Sequence, residues 1–182
     1  MSRGGAADQP PPRGKEIDAV IKGLHHNAYR CRDSEETRRF YEGFLGLRLA
    51  GALHIRESMT GRRTDVLHTF YEMGDGSYLA FFEAPDRPFD FKEQHDYDLH
   101  IALEVGNDEL LRMFEKGKAE GREVRGVSDH GFIHSIYFRD PNGYVIELTA
   151  KQPGHDGAMD PAKNGARRIL EAWQTEKLGE KV

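Results

Sequence analysis

The chain has 182 residues, about one domain's worth, and its 31 acidic against 26 basic residues leave a net charge of −5. That balance argues against a nucleic-acid binder, which needs a cationic surface, and no apolar run approaches the ~20 residues that span a bilayer. The opening MSRGGAADQPPPRGKE lacks the apolar stretch of a secretory signal, and the one cysteine, Cys31, has no partner for an internal disulfide, so a cytoplasmic setting is expected.

Residues 1–16 are rich in Gly, Pro and charge and read as a flexible leader. A body over 17–150 follows. AVIKGLHHNAYRC reads as a strand and SEETRRFYEGFLG as a helix, with Ser34 as its cap and Gly46 at its end. LRLAGALHI, DVLHTFYEM and SYLAFFEA are strands, the last two joined by a Gly74-Asp75-Gly76 turn. Residues 85–97 form a polar linker. The pattern then restarts: strand DLHIALEV, helix NDELLRMFEKGKAEG, and strands REVRGV, FIHSIYFRD and GYVIELTA, with Asp140-Pro141-Asn142-Gly143 turning between the last two.

A shift of 74 positions makes the repeat explicit. His26, Ala28, Glu35, Arg38, Phe40 and Gly43 fall on His100, Ala102, Glu109, Arg112, Phe114 and Gly117, six identities in 18 positions, where average composition gives about one. The expected fold is therefore α+β, with paired βαβββ modules (about 20–84 and 98–150) curved around a metal-binding cavity. In HIALEV the apolar residues alternate with His, Ala and Glu, so one face can meet a helix while His100 faces the cavity. The tail, 151–182, carries a further helix from Asp160-Pro161 to about Lys177. Its apolar stripe, Ile169, Leu170 and Trp173, is expected to pack on the body or on a second subunit.

The chemistry concentrates on three strands. His26 and His100 hold corresponding places on the opening strands, and Glu147 sits inside the apolar run YVIELT, where a carboxylate is costly to bury without a partner. A cation resolves that cost. Two histidines and one carboxylate are the facial set of non-haem Fe(II) oxygenases, and the same donors can hold Zn, Mn, Co or Ni. Glu83 ends the closing strand of the first repeat as the counterpart of Glu147. Facing inward it makes a fourth ligand; facing outward it is a strand-end carboxylate, and both orientations stay open. Within SDHGFIHSIYFRDPNGYVIE, His130, His134 and Tyr137 gather near Glu147 and are the catalytic candidates, imidazoles to move protons and a phenol to hydrogen-bond a reacting oxygen.

The paired repeats and the opening LHHNAYRCRDSEETRRFYEGFLGL resemble the vicinal oxygen chelate superfamily, which includes glyoxalase I, fosfomycin-resistance proteins, methylmalonyl-CoA epimerase and extradiol dioxygenases; the resemblance covers roughly residues 20–150. It implies metal ligands at His26, His100 and Glu147. The second hairpin is similar to the extradiol signature through His130, Ile136-Tyr137, Asp140-Pro141, Gly143 and Glu147. By that resemblance His130 is the acid/base and Tyr137 the donor to a bound catecholate. Ser128 departs from the signature, and Ser77 or Tyr78 stands where many extradiol enzymes have a further histidine, with His68 as a substitute on the neighbouring strand. His26, Glu83, His100 and Glu147 together are similar to the four-ligand set of bacterial glyoxalase I.

Fe(II) extradiol cleavage of a catecholic small molecule by O2 is thus the first expectation. A glyoxalase I-like lyase or isomerase acting on an α-ketoaldehyde-thiol adduct is the second, with an inward Glu83 as the feature that would favour it. Ligand sequestration, as in bleomycin-binding relatives, is disfavoured by the intact ligand set. A homodimer is expected, and the superfamily builds its cavity either within one chain or across two.

Overall fold

The computed structural model describes residues 21–179, and the leader expected over residues 1–16 lies outside the described residues. The first unit runs β1 (His26–Arg30), α1 (Ser34–Arg38), a π-helical continuation (Arg39–Phe44), β2 (Arg48–Glu57), β3 (Arg63–Glu72) and β4 (Tyr78–Glu83). The second runs β5 (His100–Glu104), α2 (Asn107–Ala119), β6 (Val124–Asp129), β7 (Ile133–Arg139) and β8 (Val145–Lys151), followed by α3 (His155–Met159) and α4 (Ala166–Gly179). The sheets have the orders β1-β4-β3-β2 and β5-β8-β7-β6, each with its opening strand parallel to its closing strand and the other pairs antiparallel. This is the expected α+β pair of βαβββ units. Among the described residues no strand of one sheet pairs with a strand of the other, so the sheets do not close on each other. No described helix is long and apolar enough to cross a membrane.

Local chemistry explains the element ends, with two shifts from expectation. The α1 cap is Asp33, whose carboxylate accepts from the Glu36 N–H at 2.8 Å, rather than Ser34. The tail helix starts at Ala166, because Asp160 is spent on a turn, accepting from the Ala162 N–H at 2.9 Å, and the short α3 precedes it. The stripe Ile169, Leu170 and Trp173 is more than half exposed and does not pack on the body.

The core forms where helices from both units meet the sheets. Tyr41 stacks against Phe81 of the first sheet at 4.7 Å between ring centroids, and Phe44 meets Phe138 of the second edge-on at 5.1 Å. One buried cluster therefore joins the two units. A polar node pins the same junction. Asp140 accepts from the N–H groups of Asn142 (2.9 Å) and Tyr144 (2.8 Å) and from the Tyr41 hydroxyl (3.0 Å), so the Asp-Pro-Asn-Gly turn ties itself to the first unit. Burial and the Asp140 charge push the Tyr41 hydroxyl far above the usual phenol range, which keeps it a donor. The linker is not free either: Arg30 lies over Phe89 at 5.1 Å and Arg32 over Phe91 at 4.9 Å.

Helix α2 crosses Phe138 at Gly117, where a Cβ would fall 2.5 Å from Cε1 of that ring. Phe138 is 2% exposed and held by Phe44, so the ring has no room to yield. Gly117→Ala gains about 1 kcal/mol of helix propensity, yet overpacking costs about 1–3 kcal/mol. The expected result is a lower urea midpoint at unchanged m-value, with a net loss of up to about 2 kcal/mol.

Candidate metal centre

With the helices on one side, the opposite face of each sheet carries the candidate residues, and strand alternation decides which reach it. In the second sheet the register places Ala102, Glu147, Tyr137 and Arg125 side by side across the four strands. His100 sits two residues before Ala102 and so on the same face. A bulge between Gly126 and Ser128 turns Val127 aside, which brings Ser128 onto that face beside Ser135. Gly126 is required there: its φ is +113° and a Cβ would meet the Ser135 carbonyl at 2.7 Å.

His100 and Glu147 form the heart of this face. Nε2 of His100 is 3.3 Å from Oε2 of Glu147, and the carboxylate is only 6% exposed. The Nδ1–H of His100 donates to the Asp96 carbonyl at 2.6 Å. In the neutral ring the Nε2 lone pair therefore faces the carboxylate oxygen, an arrangement that favours a shared cation between them. The donor set thus fits a divalent metal. Tyr137 and His130 share a hydrogen bond of 3.0 Å between the hydroxyl and Nε2. Burial, and then the charge of Glu147, raise the Tyr137 hydroxyl above the ordinary phenol range, so at neutral pH it stays protonated. Arg125 stacks over the Tyr137 ring at 5.0 Å and reaches both carboxylate oxygens of Asp96 at 2.9 Å. These groups line a cleft of about 580 Å³.

His26 occupies the matching place on the first sheet, beside Phe70 at 5.6 Å and His68 at 6.2 Å between ring centroids. His68 is buried, donates its Nδ1–H to the Phe81 carbonyl at 3.0 Å and stacks on Phe82. Burial lowers its pKa, so the ring stays neutral. His26 is not brought to His100 and Glu147. Among the described residues no three His, Cys, Asp or Glu side chains converge closely enough to hold a metal ion. One chain thus presents His26 on the face of one sheet and His100 with Glu147 on the face of the other.

Two further candidates lie on the wrong side. The row of the first sheet equivalent to Ala102, Glu147, Tyr137 and Arg125 reads Ala28, Ala80, Phe70 and Gly51. Ala80, not Glu83, is therefore the counterpart of Glu147. Glu83 lies three residues further along β4, an odd offset that turns it to the helix side, where Oε2 accepts from the Ser34 N–H at 2.7 Å. His134 lies three residues before Tyr137 and faces away for the same reason, near Asp129 at 3.5 Å. Asp96 and Arg125, by contrast, join the site without any motif to announce them.

A family model described as "Glyoxalase/Bleomycin resistance protein/Dioxygenase superfamily" matches residues 23–148. The chain is similar to a lactoylglutathione lyase of Neisseria meningitidis serogroup B, 29% identical over 141 residues covering 73% of this chain and 94% of the relative. It is also similar to a putative ring-cleaving dioxygenase, MhqA, of Bacillus subtilis, 28% identical over 100 residues, 54% of this chain and 31% of that protein. In fold it resembles the fosfomycin resistance protein FosX from Listeria monocytogenes, with a TM-score of 0.57 at 22% identity over 75% of this chain and 98% of that one. A glyoxalase/dioxygenase from Nostoc punctiforme gives 0.55 at 21% identity over 75% and 99%.

Proposed function

The chain belongs to the glyoxalase/bleomycin resistance protein/dioxygenase superfamily, whose members include a lyase, a ring-cleaving dioxygenase and a fosfomycin resistance protein crystallised with Mn(II), and on that premise we propose that it is a metal-dependent enzyme that opens a catecholic ring with O2. The observation that carries this reading over a lyase is Ala80. With alanine at the counterpart of Glu147 and Glu83 on the helix side, the ligand set is His26, His100 and Glu147, two histidines and one carboxylate, without the fourth ligand, a second carboxylate, of a glyoxalase-like site.

His26 and the His100–Glu147 pair lie on separate open sheets, so the reading includes a second copy of the chain: His26 of the partner subunit completes each centre, and a homodimer carries two. Fe(II) held there supplies Lewis acidity and coordination positions for the diol and O2. The chain's own groups do the rest. The diol hydroxyl donates to the Tyr137 oxygen while the Tyr137 hydroxyl donates to Nε2 of His130. The released proton passes along that line to His130, which leaves the phenol, still protonated, donating to the substrate oxygen beside Glu147, and the reverse transfer returns the proton to the opened product. Arg125, over the ring of Tyr137, limits the cleft on the far side. Both oxygen atoms enter the product, so no external reductant is required.

The test is oxygen uptake by protein purified anaerobically with Fe(II) and offered a panel of catechols. The expected result is one O2 consumed per ring opened, with a yellow product. Absence of uptake across the panel, together with isomerisation of an α-ketoaldehyde-thiol adduct by the Ni, Co or Zn form, would replace this reading with the lyase.

A further inference from the structure

We infer that Arg125 and Asp96 form a brace that fixes the tautomer and direction of His100, which makes Arg125 a positioning residue; the inference rests on His100 being a metal ligand. An imidazole that binds a metal through Nε2 needs its other nitrogen held as a donor, because that hydrogen bond selects the tautomer and aims the ring. For His100 the holder is a backbone carbonyl, that of Asp96, at 2.6 Å. Asp96 lies outside the strands, in the segment that leads into β5, and a carbonyl there keeps its aim only if the segment is itself fastened.

The fastening comes from the far edge of the sheet. Nη2 of Arg125 reaches Oδ1 and Oδ2 of Asp96, both at 2.9 Å. The Arg125 backbone is paired with Tyr137 in the β6–β7 ladder, and its guanidinium lies 5.0 Å from the centre of the Tyr137 ring. A continuous line of contacts therefore runs from His100 through Asp96 and Arg125 to Tyr137. It ties a ligand on the first strand of the sheet to a phenol on the third.

The exposure of the pair separates this role from a merely stabilising one. The Arg125 side chain is 49% exposed and that of Asp96 28%, so solvent screens the ion pair and it adds little to global stability. Its effect falls on the orientation of one imidazole.

The experiment uses the full-length protein and the variants Arg125→Gln, Asp96→Asn and Arg125→Lys. Long-range proton–nitrogen NMR of the metal-free protein reads the His100 tautomer, and competition titration with Zn(II) or Co(II) reads affinity. In the wild type His100 is expected to carry its proton on Nδ1 alone. In Arg125→Gln and Asp96→Asn, Nε2-protonated imidazole appears and metal affinity falls ~10–100-fold, the usual cost of losing an outer partner of a ligating histidine. Arg125→Lys retains one contact to the carboxylate and most of the affinity, and all three variants keep the wild-type unfolding midpoint. An unchanged tautomer and unchanged affinity in both Arg125→Gln and Asp96→Asn would overturn the brace. A wild type that holds the Nδ1 tautomer and loses it in the variants, yet binds neither metal, would uphold the brace and overturn the ligand assignment instead.

Discussion

Glu147→Gln abolishes stoichiometric metal binding and turnover together, while the metal-free protein stays at least as stable as its parent. The two halves of this expectation have separate causes. Glutamine keeps the volume of glutamate at a position only 6% exposed, so the packing of β8 between β5 and β7 is undisturbed. It also removes a buried carboxylate that faces Nε2 of His100 at 3.3 Å, on a half-exposed imidazole. Replacing such a charge with a neutral isostere of similar shape is often neutral or favourable. The metal, however, loses its one anionic donor. Loss of an outer partner alone costs ~10–100-fold in affinity, and loss of a direct ligand exceeds that. The check is thermal unfolding with and without metal. The wild type gains about 2.7 kcal/mol when free metal stands at 100 times its dissociation constant, and Glu147→Gln gains none. A variant that still binds metal stoichiometrically would remove Glu147 from the site.

Much of the site is legible in the sequence because it is written twice. The 74-residue repeat aligns His26 with His100, and alternation along HIALEV assigns His100 to the face away from the helix. Glu147 betrays itself by standing charged inside an apolar strand. Errors enter where that alternation has to be counted from a strand end. Glu83 and His134 are each three residues from the position that matters, Ala80 in one case and Tyr137 in the other, and an odd offset reverses the face. Counting from the register instead of the strand end gives Ala80, and with it the distinction between a three-ligand and a four-ligand set. Asp96 and Arg125 lie beyond this kind of inference. They meet because a segment read as a polar linker folds back onto an edge strand, a long-range contact with no local pattern. The openness of the sheets is likewise tertiary: it follows from Tyr41 and Phe44 drawing the helix-side faces of both units into one core, which leaves His26 and His100 on faces turned to solvent.

That arrangement leads to the second large expected effect, restoration of activity by mixing two inactive chains. His26→Ala lacks the ligand of the first sheet, and Glu147→Gln lacks one of the two on the second. Under the proposed two-chain centre each homodimer is dead, since every centre then draws one sheet from each chain. In a mixed dimer the defects fall together: one centre pairs the altered first sheet with the altered second sheet, and the other pairs two intact ones. After unfolding, mixing in equal amounts and refolding, about half of the dimers are mixed and each has one working centre of two, so about a quarter of wild-type activity returns. Metal content of the refolded mixture rises in the same proportion, a readout independent of the substrate chosen. If each centre instead formed within one chain, every chain in the mixture would carry its own lesion and neither activity nor metal would return. The experiment therefore separates the two ways of joining His26 to His100 and Glu147, and its metal readout does so without any knowledge of the substrate.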